Sequence, residues 1–106
     1  MISTQLMSEV LGLKIYSVKQ KSDTVIEYTF DAIGETRTST INIYELAYKC
    51  KEWARNKYHQ RIMSESAGSC YIIESDDKYF YHDSEHESVF KACQYILENK
   101  KAVKND

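Results

Sequence analysis

The sequence predicts an α+β fold in which the elements run α-β-β-β-α-β-β-β-α, with antiparallel strands and amphipathic helices packed on the sheet. Three observations predict it. Ile43 to Tyr58 and Glu85 to Asn99 repeat apolar residues at helical spacing behind a polar capping residue. Short runs rich in β-branched and aromatic residues precede each of them, separated by Gly-, Ser- and Asp-containing turns. Proline is absent and only 3 glycines occur, which leaves no flexible linker in 106 residues. A single domain over 1–106 is therefore expected. Its αβββα half covers 1–58, its βββα half covers 59–99, and a charged tail over 100–106 frays.

In chain order, Thr4 to Leu11 is a short helix. Thr4 can cap it, Leu6, Met7, Val10 and Leu11 fall at helical spacing, and Gly12 stops it. Leu13 to Lys19 alternates as a strand, Lys21-Ser22-Asp23 turns the chain, and Thr24 to Phe30 pairs back as a hairpin. A second turn, Asp31-Ala32-Ile33-Gly34, leads into Glu35 to Ile41. That strand carries Thr36, Thr38 and Thr40 in alternation and belongs at a sheet edge. Asn42 and Glu45 have the spacing of a capping box. Ile43, Leu46, Ala47, Cys50, Trp53 and Ala54 form the buried stripe of the helix behind them.

The second half repeats the plan. His59 to Glu65 is a strand, Ser66-Ala67-Gly68 a turn, and Ser69 to Glu74 a strand. Asp76-Asp77-Lys78 turns the chain again before Tyr79 to His82, a short aromatic strand. Ser84 and Glu87 repeat the capping-box spacing, ahead of a closing helix with Val89, Phe90, Cys93, Ile96 and Leu97 on its stripe. Laying Cys50 on Cys93 aligns Leu46-Ala47 with Val89-Phe90 and Trp53-Ala54 with Ile96-Leu97. A β-β-β-α unit used twice is the architectural expectation.

Composition narrows the function classes. A hydrophobic share of 42% and a charged share of 28% are those of a globular chain. The opening Met1 to Leu6 has no basic region ahead of an apolar run, and no apolar run approaches the ~20 residues of a membrane span. A cytoplasmic protein with no membrane partner is expected. Cys50, Cys70 and Cys93 are odd in number and widely spaced. They match neither a disulfide framework nor zinc-binding pairs, and read as reduced, buried thiols. A net charge of −2 argues against general nucleic-acid binding. The chain has 9 Tyr against 3 Phe and 1 Trp, rings whose apolar body and polar tip suit half-buried sheet faces and contact surfaces.

Three constellations carry candidate chemistry. His82 and His86 stand four apart, but a cap at Ser84 puts one before the helix and the other within it, and no further metal ligands are spaced nearby. Cys70, at the start of a strand after Gly68, could be partly exposed and act with His59 or His82 as a thiol- or metal-dependent site. Lys14, Lys19, Lys21 and Arg37 could bind RNA or DNA. The first 58 residues have the α-β-β-β-α order of a double-stranded-RNA-binding module, yet the helix that should open on lysines opens Asn42-Ile43-Tyr44-Glu45. No catalytic residue, metal or cofactor is assigned.

Two helix segments, INIYELAYKCKEWA and FKACQYILENK, resemble segments of small uncharacterised proteins encoded by bacteria and their prophages. In those proteins a capped YELA-x-KCKEWA helix and a closing EAIFKACEWIL helix occur in the same order. The resemblance covers about a quarter of the chain and rests on helix-core residues. It implies a bacterial cytosolic protein of a mobile element and supplies no site residues.

The functional expectation is a non-enzymatic accessory protein that binds another macromolecule, a protein ahead of a nucleic acid. Residues 74–87 hold Glu74, Asp76, Asp77, Asp83, Glu85 and Glu87 against Lys78 alone. Asp76, Asp77, Asp83, Glu85 and Glu87 beside Tyr79, Phe80 and Tyr81 form the candidate surface, an aromatic and acidic patch suited to a basic partner. The chain is expected as a monomer or a homodimer, because Glu35 to Ile41 has little edge protection beyond Arg37.

Overall fold

The computed structural model describes residues 1–103. The three helices form over the residues their apolar stripes mark. Helix α1 spans Thr4–Leu11, but its N-cap is Ser3, one residue earlier than expected. The Ser3 Oγ accepts the Leu6 N–H at 3.0 Å, and Gly12 at φ 66 closes the C-terminus. Helix α2 spans Ile43–Tyr58. Asn42 Oδ1 accepts the Tyr44 N–H at 2.9 Å and the Glu45 N–H at 3.3 Å. Helix α3 spans Glu85–Asn99, and here the expected cap is not made: the Ser84 side chain accepts no bond from the first turn.

The strands form two separate three-stranded antiparallel sheets. The first has order β1-β2-β3, with β1 Ile15–Gln20, β2 Val25–Ala32 and β3 Glu35–Asn42. The second has order β4-β5-β6, with β4 Ile62–Ser64, β5 Cys70–Ile72 and β6 Lys78–Phe80. The element order is the expected one, but most strand lengths differ from expectation for local reasons. The β2–β3 turn is only Ile33 and Gly34, at φ 52 and φ 80, so β2 runs on to Ala32, while β3 starts at Glu35 as expected and gains Asn42 at its far end. In the second half the strands shrink. His59 adopts φ 53 and, with Gln60, donates to Arg55 and Ala54 carbonyls to end α2, so neither residue is left for β4. Ile73–Ser75 bends into a 3-10 turn that cuts β5 short.

Strand register sorts each sheet into two faces. In the first, Ile15, Val18, Ile26, Tyr28, Phe30 and Ile41 share the face toward the helices, while Ser17, Thr29 and Thr38 lie in one row on the other. Helix α1 packs on β1, and α3 packs along α2 and across β4, β5 and β6. The molecule is 18 Å thick against 42 and 38 Å, the depth of one helix layer on one sheet layer. One hydrophobic cluster runs through both halves. Leu6, Met7, Ile26, Ile43, Leu46, Ile72, Val89 and Ile96 are fully buried in it, each burial stabilising by about 1.5–3 kcal/mol.

Among the described residues no helix is long and apolar enough to cross a membrane. The tail expected to fray falls partly on residues 104–106, outside the described residues. Within them, the Val103 N–H donates to the Lys57 carbonyl at 2.8 Å.

Candidate functional site

The second sheet turns its two faces to different tasks. Ile72, Cys70 and Phe80 face α3, which covers them. The register Met63↔Tyr71↔Tyr79 puts those three side chains in one row on the opposite face, with Tyr71 half-buried in the middle of the row. The Tyr71 and Tyr79 rings lie 5.1 Å apart, and Tyr81, two residues beyond Tyr79, stacks on it at 5.9 Å and 14°. Met63 is 45% exposed, Tyr79 42% and Tyr81 67%, so a contiguous row of large side chains stays open to solvent. Phe80 is not part of it; its ring packs on Tyr95 at 5.6 Å on the inner side. Tyr79 donates its hydroxyl to Glu65 Oε1 at 3.1 Å, and that bond raises its pKa, keeping the phenol protonated.

The six carboxylates do not form one patch. Glu74 is closed on Arg61, accepting its backbone N–H at 2.6 Å and its guanidinium at 3.0 Å. Desolvation pushes the Glu74 carboxyl upward, but those bonds outweigh it and hold its pKa below the usual value. Glu85 accepts from Ser64 Oγ at 2.9 Å and pairs with Lys51 at 3.4 Å. Glu87 pairs with the Met1 ammonium at 2.9 Å. Asp76, Asp77 and Asp83 are exposed and, among the described residues, in no ion pair. The two Asp residues at 76 and 77 precede the tyrosine strand and Asp83 follows it. Both Asp76 (φ 56) and Asp77 (φ 53) are left-handed, as Asp tolerates in a turn.

Beside this face a groove of about 250 Å³ runs between α2 and β4, lined by Tyr48, Lys51, Arg55, Arg61 and Met63. It lies just under the volume range of small-molecule pockets, roughly 300–1,000 Å³. Sequence reasoning missed Met63 and Tyr71, because only the cross-strand register brings them beside Tyr79. Their one sequence signal is alternation in two short strands.

The other constellations come apart. Cys70, expected to be partly exposed, is fully buried between Ser64 and Phe80. Burial raises its thiol pKa, and the other groups acting on it are Ser88, Lys51 and Glu85; neither His59 nor His82 is among them. Cys93 meets Cys50 at the α2–α3 contact, where its thiol donates to the Cys50 carbonyl at 3.5 Å. The neighbouring Cys50 thiol and burial raise its pKa well above the ordinary value. All three cysteines are free and buried. His82 and His86 both turn to the Ser84 hydroxyl, at 3.4 Å from Nδ1 and 3.2 Å from Nε2. Among the described residues no three His, Cys, Asp or Glu side chains gather as a metal site. The basic residues of the first half are also dispersed. Lys14 sits over Tyr16, Lys21 lies 4.0 Å from Glu27, and Lys19 and Arg37 fall on opposite sheet faces.

Comparison with known proteins gives no matching family model, no similar curated protein and no similar solved structure.

Proposed function

We propose that this chain is a non-enzymatic binding protein whose second sheet captures a protein partner on the row Met63, Tyr71, Tyr79 and Tyr81. The observation that carries the reading is this row, with Met63, Tyr79 and Tyr81 exposed and Tyr79 in ring contact with both Tyr71 and Tyr81, on a sheet whose other face is anchored by α3. Tyrosines held rigid in this way present large amphipathic area at little entropic cost, the property that makes Tyr frequent at binding hot spots. Asp76, Asp77 and Asp83 flank the row with uncompensated negative charge, which favours a basic partner. Glu85 ties α3 to β4 through Ser64 and to α2 through Lys51, while Glu87 is engaged by the Met1 ammonium, so neither adds free charge to the row. The resemblance of the α2 and α3 segments to small bacterial and prophage proteins is what supports the further proposal of a cytoplasmic accessory protein of a prophage.

Affinity capture with the full chain, compared with Tyr79→Ala/Tyr81→Ala and Asp76→Lys/Asp83→Lys variants, tests it. A specific partner should be lost by about thirtyfold or more with the tyrosine pair, as for hot-spot truncation. It should be weakened, with reduced salt dependence, in the charge variant. A partner retained in full by the tyrosine variant sinks the proposal.

A further inference from the structure

We infer that the β3 edge is a pairing surface for a second copy of this chain, joining two three-stranded sheets into one six-stranded sheet across a two-fold axis. The surface lies on the first sheet and is independent of the tyrosine row.

Among the described residues, strand β3 is the one long, regular edge. Its eight residues keep an unbroken register with β2. The other edges are protected: β1 is bulged between Ile15 and Ser17 and carries α1, while β4 and β6 are three residues each. The register also fixes which backbone groups are free. The Ile43 N–H donates to the Thr24 carbonyl at 2.8 Å, so Ile41, Ser39 and Arg37 turn their N–H and C=O toward β2. Thr36, Thr38 and Thr40 turn theirs outward, and all three residues are exposed. An outward row of donors and acceptors on an exposed strand is a template for another strand.

A second copy fits this template in register and in charge. Antiparallel pairing centred on Thr38 sets Thr36 opposite Thr40 of the partner subunit and Thr38 opposite Thr38 of the partner subunit. Each such pair exchanges two backbone hydrogen bonds. The charges on the strand, Glu35 and Arg37, are closed on each other at 3.5 Å, so the edge is neutral and complements a neutral strand. In this register Arg37 falls opposite Ser39 of the partner subunit and Glu35 opposite Ile41 of the partner subunit, so no like charges oppose directly. A strongly acidic or basic strand would find no counter-charge here. Threonine pairs across strands are favourable, and the Ser17, Thr29, Thr38 row continues through the axis into its copy.

Sedimentation velocity on the full chain from about 10 µM to 1 mM tests the association, because mass action makes it concentration-dependent. The mass should rise toward the dimer. In amide exchange, Thr36, Thr38 and Thr40 should gain protection only at the high end, while Arg37, Ser39 and Ile41 stay protected throughout. Thr36→Lys/Thr40→Lys sets like charges opposite each other and should weaken association about tenfold. Thr36→Lys/Thr40→Glu sets opposite charges across both pairs and should restore it. All four exchanges are at exposed positions, and circular dichroism checks that the monomer fold is kept. A monomer at 1 mM, a dimer in which the three threonine amides still exchange fast, or equal association of the two double variants would overturn the inference.

Discussion

Replacing Gly68 by Ala should damage both stability and the tyrosine face, and the size of the effect follows from the backbone. Gly68 has φ +79, and a Cβ there would collide with the His82 carbonyl oxygen and lie 3.1 and 3.2 Å from the Asp83 carbonyl carbon and oxygen. The left-handed conformation alone costs a non-glycine residue about 1–2 kcal/mol. The neighbours are backbone atoms and cannot swing aside, so overpacking adds about 1–3 kcal/mol. The sum is about 2–5 kcal/mol. Gly34→Ala is the internal control. Its φ is +80, but nothing lies within 4 Å, so only the conformational cost of about 1–2 kcal/mol applies. Urea unfolding followed by circular dichroism measures both, provided the slope is unchanged. Amide shifts over Tyr81 to Ser84 should move in Gly68→Ala and stay fixed in Gly34→Ala. A Gly68→Ala penalty within about 0.5 kcal/mol of the Gly34→Ala penalty would refute the packing argument.

Further outcomes follow from caps, burial and protonation. Asn42→Ala should cost about 1 kcal/mol, because Asn42 caps α2, whereas Ser84→Ala should change stability by less than about 0.5 kcal/mol in the same assay. Burial lowers the pKa of His86, so the unfolded chain takes up that proton first as pH falls. Its contribution is complete above about pH 6.5 and is lost as pH drops through the lowered folded value; His86→Gln should flatten that part of the pH–stability curve. Cys50, Cys70 and Cys93 should resist a thiol reagent in the folded protein and react only at the rate of opening. Rapid labelling of Cys70 would contradict its burial.

The helices were legible in the sequence, and the second-half strands were much less so. In α2 a capping residue, a stripe and a stop agree over Ile43–Tyr58, and α3 is marked by its stripe even though Ser84 does not cap it. Ser84 fails as a cap because its hydroxyl is drawn to His82 and His86, a competition that spacing cannot reveal. Strand ends were misplaced where the helix stop takes Gln60 and where a bend takes Ile73, a residue of high β-propensity. The candidate surface was half legible. Tyr79 and Tyr81 alternate onto one face as their spacing requires, but Met63 and Tyr71 join them only through pairing. Glu85 and Glu87 looked like free surface charge, yet their partners Lys51, Ser64 and the amino terminus come from distant parts of the chain.

The central claim is that the tyrosine row is where a partner docks, and photocrosslinking in cells tests it most directly. A photoreactive p-benzoylphenylalanine in place of Tyr81 should trap one discrete, heavier adduct. The same group in place of Tyr16, 48% exposed on the other sheet, is the control and should trap no such adduct. Loss of the Tyr81 adduct when Tyr71 and Tyr79 are changed to Ala would support a shared face. No adduct from Tyr81, or the same adduct from Tyr16, would contradict the account.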